Sequence, residues 1–192
     1  MKVEPQPGHD ASKRKRDVSI ASVVVVALLL VAVAIFLPGT SARNAAQEVR
    51  STYAAHLQGI ESENLTAAAG GYEANATVVF KGKAAGLIGE YTGITNIKVL
   101  YDVILSPNAF GTVSISNLTS GVNVSGGGMK ATVNSTFEMN GSSTMLSTLH
   151  GGRLVAGTYY ARVSSSTSYV RDGNAWLISH EIWDFGTFNL AT

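Results

Sequence analysis

The side chains best suited by type and spacing to chemistry lie near the C-terminus, in the run Ala175-Trp176-Leu177-Ile178-Ser179-His180-Glu181-Ile182-Trp183-Asp184-Phe185. Read as a strand of period two, this run puts Trp176, Ile178, His180, Ile182 and Asp184 on one face. Leu177, Ser179, Glu181, Trp183 and Phe185 fall on the other. A histidine flanked by Ile178 and Ile182 would be partly desolvated, which favours its neutral form, so His180 is the candidate general base. Asp184 stands roughly 13 Å further along the strand, too far to pair with it. Trp176, Ile178, His180 and Ile182 would together line a surface for a small apolar molecule. The same histidine also reads as a core residue among aromatics, or as a surface residue beside Glu181.

Tyr159 and Tyr160 are adjacent and must point to opposite faces, so one packs inside and the other is free to offer a hydroxyl; Tyr160 is the further catalytic candidate. Arg153 follows the pair Gly151-Gly152, with His150 before it, and could clamp a carboxylate or simply occupy a solvated turn. The chain has no cysteine, which removes disulfides, thiolate metal sites and cysteine nucleophiles together. His56, His150 and His180 show no metal-ligand spacing, and His9 falls in the basic N-terminal tail. Phosphate-loop, HExxH, GxSxG and EF-hand patterns are missing, and Gly126-Gly127-Gly128 precedes a strand, not a helix. No metal and no cofactor is therefore expected.

The elements that must position these residues begin with a membrane anchor. Val18 to Leu37 is a stretch of twenty uncharged residues, and twenty residues of helix span about 30 Å, the thickness of a bilayer core. Lys13-Arg14-Lys15-Arg16 precedes it, and positive flanks stay on the cytoplasmic side. A cleaved signal peptide is the rival interpretation, although its apolar region usually spans only about 7 to 15 residues. The expected layout is a cytoplasmic tail at 1–17, a transmembrane helix at 18–37, a linker at 38–43 and an extracytoplasmic domain at 44–192. From Arg43 onward the chain carries nine basic and ten acidic side chains, so this part lacks the basic excess of a nucleic-acid binder.

Six of the eleven asparagines after Arg43 open an Asn-x-Ser/Thr triplet: Asn64, Asn75, Asn117, Asn123, Asn134 and Asn140. Chance would supply roughly two in a segment this rich in Ser and Thr, so a glycosylating compartment is the natural expectation. Glycans without disulfides suggest an archaeal type of cell surface.

Val49, Tyr53, Leu57 and Ile60 recur at helical spacing within Asn44 to Ala69, and Gly70-Gly71 ends the pattern. Thr77 to Phe80 reads as a short strand, and Ile94 to Leu105 as a helix. Beyond Pro107 strands dominate. In Lys130 to Met139, Ala131, Val133, Ser135, Phe137 and Met139 share one face, with Asn134 on the other. Asn140-Gly141 and Asp172-Gly173 are the expected hairpin turns, the second leading into a last strand from Ala175 to Phe188.

Helices first and antiparallel strands after predict an α+β domain. The helical pair followed by Tyr72-Glu73-Ala74-Asn75-Ala76-Thr77-Val78-Val79-Phe80, the glycine-punctuated Gly86 to Gly93 and the closing Arg171 to His180 resemble the NTF2-like superfamily, in particular its SnoaL-like branch. The resemblance covers about Asn44 to Phe188. It implies a cone in which helices pack inside a curved antiparallel sheet, with a pocket between them. Members look like isomerases, cyclases or dehydratases, or only bind and assemble. The carboxylate, tyrosine and protonated acid of ketosteroid-isomerase-like sites cannot be placed on a motif in this chain. The expected function is thus binding of a small apolar ligand or a partner protein without catalysis. A SnoaL-like enzyme or an envelope assembly module is the alternative. Candidate partners are the membrane and a second copy paired through the sheet face.

Overall fold

The computed structural model describes residues 38–83, 88–105, 112–143 and 157–191. The expected membrane span at 18–37, the basic tail with His9, and the pair His150 and Arg153 lie outside the described residues. Among the described residues no helix is long and apolar enough to cross a membrane. The chain divides into two compact units, Met1–Ser41 and Ala42–Thr192, and the second holds the whole sheet.

Helix α1 runs Pro38–Glu61, so the stretch expected as a linker at 38–43 is already helical. Its buried side chains include Ala45, Val49, Tyr53, His56, Leu57 and Ile60, an apolar stripe at three- and four-residue spacing that carries one histidine. The helical pattern expected from Asn44 to Ala69 divides into a pair of helices at Glu63, whose φ of 53° lies in the left-handed region. Asn64 then caps helix α2 (Leu65–Ala69), its side chain accepting from the Ala67 amide at 3.1 Å. Helix α3 spans Ile94–Leu105, the bounds read from the sequence, and buries Ile97, Leu100, Tyr101, Ile104 and Leu105.

Strands β1 (Tyr72–Gly82), β2 (Gly89–Thr92), β3 (Thr112–Ser125), β4 (Lys130–Ser143), β5 (Gly157–Asp172) and β6 (Ala175–Ala191) form one sheet in the order β2-β1-β6-β5-β4-β3. The β1–β6 pair is parallel and the other neighbours are antiparallel. The alternation expected in β4 is observed: Ala131, Val133, Ser135, Phe137 and Met139 are buried, while Asn134 and Thr136 are exposed. The Asp172-Gly173 turn is also observed, with Asp172 paired to Ala175 and Gly173 at φ 57°.

Two expectations fail, each for a local physical reason. Asn140-Gly141 is no turn: β4 continues through both, and Gly141 pairs with Val113 on one side and Tyr159 on the other. Its glycine serves close approach instead, because a Cβ there would overlap the Thr112 carbonyl oxygen and crowd the Tyr159 hydroxyl. That hydroxyl donates to Thr112 O at 3.1 Å across the glycine. The simple alternation of β6 fails as well. Ser168 pairs with His180 but Tyr169 pairs with Ile178, which leaves Ser179 as an extra residue in a β-bulge. Past the bulge the two faces exchange, and the buried set becomes Trp176, Ile178, Glu181, Trp183 and Phe185.

Candidate functional site

The inner face of the sheet and the apolar faces of the helices enclose one core, and inside it stands a charged group, Glu181, at 0% exposure. Four other elements supply side chains around its carboxylate. Tyr72, at the start of β1, donates a very short hydrogen bond to Oε2, and Tyr101 of α3 donates to the same oxygen at 3.2 Å. Thr167 of β5 donates to Oε1 at 3.2 Å. His56 of α1 places Nε2 3.3 Å from Oε1, an ion-pair contact that falls short of hydrogen-bond alignment. The two tyrosine hydroxyls also meet at 2.9 Å, and the imidazole lies edge-on to both phenol rings.

The tautomer of His56 is set by its other nitrogen. Nδ1 is 3.0 Å from the Ala68 carbonyl oxygen, which can only accept, so Nδ1 carries a proton. A lone pair on Nε2 would then face the carboxylate lone pairs, so one further proton sits between Nε2 and Oε1. Burial pushes the Glu181 carboxyl up, but the neighbouring His56 charge and the contacts from His56, Tyr72 and Trp183 outweigh it and hold it at about 2. The glutamate is accordingly the anion. Burial, reinforced by the Glu181 charge, drives Tyr72 and Tyr101 well above the ordinary phenol range, so both remain donors.

A second polar group continues the cluster along the sheet. The Tyr53 hydroxyl meets Ser135 Oγ at 2.5 Å and Ser165 Oγ at 2.9 Å, and the two serines meet at 2.8 Å. Two further donors point inward with less company. Among the described residues the Tyr169 hydroxyl is buried without a hydrogen-bond partner, and Trp183 Nε1 faces the carboxylate without completing a hydrogen bond.

The residues singled out from the sequence are dispersed by the bulge. Trp176 and Ile178 face inward; Trp176 closes a groove between α1 and the β5–β6 turn, with Nε1 3.0 Å from Glu48 and Arg171 stacked 5.5 Å from its ring centroid. His180 and Ile182 are half-buried on the outer face, beyond reach of Trp176 and Ile178 on the inner one. Asp184 is outside too, paired with Lys81 at 3.4 Å. Tyr160 also turns outward, beside Glu138 and Arg162, while Tyr159 is the inner partner. No three metal-ligating side chains converge among the described residues. What sequence reasoning missed is His56 with Glu181. The available signals were a histidine three residues after Tyr53 on the apolar stripe of α1, and a carboxylate at period two with Trp183 and Phe185.

No protein-family model matches this chain, and no curated protein matches it in sequence. Solved structures do. An NTF2-like protein of unknown function from Pseudomonas putida KT2440 shares 13% identity over 74% of this chain and 87% of its own, with a TM-score of 0.54. The hexachlorocyclohexane dehydrochlorinase LinA-type3 from Novosphingobium barchaimii LL02 shares 18% over 81% and 94%, with a TM-score of 0.57. The CaMKII hub of S. rosetta shares 17% over 73% and 95%, with a TM-score of 0.54. At such identities the likeness concerns architecture alone, and the same architecture serves an enzyme and a hub. The chain has the NTF2-like fold.

Proposed function

We propose that this protein is a single-pass membrane-anchored domain displayed outside the cell, which binds a small, largely apolar ligand without turning it over. The observation that carries the non-catalytic part is the closure of the central cluster. Nδ1 of His56 is committed to Ala68 O and Nε2 to Glu181, and both carboxylate oxygens are occupied by Tyr72, Tyr101, Thr167 and His56. A general base needs a lone pair within reach of its substrate, and this cluster offers none. The binding part rests on Tyr169, whose buried hydroxyl has no hydrogen-bond partner among the described residues. A buried donor without an acceptor costs about 1–3 kcal/mol, so an apolar guest bringing one acceptor oxygen within its reach recovers it. Anchoring and outward orientation rest on Val18 to Leu37 and the basic run before it.

A catalytic reading has one observation in its favour: an imidazole, a carboxylate and two phenol donors on a fold shared with a dehydrochlorinase. One experiment separates the two. The full chain in detergent is screened by thermal shift against apolar carbonyl and hydroxyl compounds, and each binder is incubated with the protein in D2O. Binding weakened about tenfold by Tyr169→Phe, with no exchange of carbon-bound hydrogen, is the expected result. Exchange or elimination that disappears in His56→Asn would establish the enzyme instead.

A further inference from the structure

Four of the six Asn-x-Ser/Thr triplets lie on the β3–β4 ribbon, and the register separates them. Antiparallel partners share a face, so Asn123 opposite Thr132 and Asn134 opposite Gly121 both stand on the outer side, two positions apart along the ribbon. Their inner neighbours Val122, Val124, Val133 and Ser135 turn toward the core. Because a strand repeats every two residues, the Ser125 and Thr136 hydroxyls emerge beside their own asparagines on that same face. Both asparagines are exposed, and β3 is the edge strand of the sheet. Gly121 leaves the position opposite Asn134 empty: a Cβ built there meets nothing within 4 Å. The other two asparagines of the ribbon are less free. Asn117 donates its Nδ2 to Glu138 at 2.7 Å, and Asn140 is half-buried in a groove beside Tyr159 and Tyr160.

We infer that Asn123 and Asn134 are the glycan-bearing residues of this domain, and that the β3–β4 end of the outer face is a sugar-covered surface, not a contact between copies. In the transfer, Nδ2 bonds to the anomeric carbon of a phosphate-linked glycosyl donor. The anomeric C–O bond breaks, the phosphate departs with its electron pair, and one Nδ2 proton is released. The inference rests on the extracytoplasmic placement proposed above. It also removes the β3–β4 end from any pairing of copies through the sheet.

The test is glycopeptide mass spectrometry of the full chain purified from its native host, together with Asn123→Gln and Asn134→Gln. Glycan on both peptides is expected, with each substitution removing one glycan mass and leaving the melting temperature of the deglycosylated protein unchanged. Bare Asn123 and Asn134 in a protein glycosylated at Asn64 or Asn75 would overturn the inference while leaving the outward placement standing. Six bare asparagines would overturn both.

Discussion

The two faces of one sheet treat polar side chains in opposite ways. Inside, Glu181, His56, Tyr72, Tyr101 and Thr167 satisfy one another in a space closed to solvent. Outside, comparable charges pair at the surface: Lys81 with Asp184 at 3.4 Å, each side chain about half exposed, and Arg162 with Glu138 at 3.1 Å. Geometry at the level of distance is nearly the same, yet the consequences differ because the dielectric differs. A buried ion that loses its partner is stranded, whereas a surface ion is taken up by water. The inner cluster therefore locks α1, α3, β1, β5 and β6 into one arrangement, and the outer pairs leave their face available for modification and contact.

Removing the inner anion should have the largest effect. Glu181→Ala leaves an imidazole proton and two phenol donors without their acceptor, and the expected loss is about 3–5 kcal/mol in chemical denaturation. The double replacement of His56 and Glu181 by leucine should recover much of that loss, since it removes both charges together. A loss in the single variant below about 1 kcal/mol would mean that the cluster is not a closed buried pair.

The next largest effect is expected from acid. Glu181 has a folded value of about 2 against an ordinary 4.5. A depressed carboxylate contributes stability that is fully present above its unfolded value, so the contribution is intact at neutral pH. It falls away as pH drops from about 4.5 to about 2. A shift of this size corresponds to about 3 kcal/mol. Denaturation midpoints across that window, compared between the wild type and Glu181→Gln, check the sign: the wild type should lose its advantage on acidification.

How much of this was legible in the sequence depends on the same physics. Helix α3 and the β4 alternation were readable because each obeys one unbroken period, and each buries the residues expected of it. The site was not readable, because β6 changes phase at Ser179. Its hydroxyl is satisfied by the Ser168 carbonyl at 3.2 Å, so the extra residue is accommodated locally with no Gly or Pro to announce it. That one residue moved His180, Ile182 and Asp184 out and brought Glu181, Trp183 and Phe185 in. The partners of Glu181 come from positions as distant in the chain as His56, and only tertiary packing unites them. Asn140-Gly141 misled for a related reason: a glycine needed for close approach carries the same letters as one needed for a turn.

The smallest expected effect lies on the outer face. Lys81→Ala removes an exposed pair and should change stability by no more than about 0.5 kcal/mol, an effect that added salt reduces further. A loss of several kcal/mol there would erase the distinction between the faces.

Whether the inner cluster is closed and offers no free base can be read at the His56 imidazole. Nitrogen-15 spectra of the full chain, with His56 assigned through His56→Gln, report which ring nitrogens hold protons and how quickly those protons exchange with water. A protonated Nδ1 hydrogen-bonded to Ala68, an Nε2 engaged with Glu181 and slow exchange at both are expected. A bare Nδ1, or an Nε2 in rapid exchange with bulk water, would contradict a closed cluster.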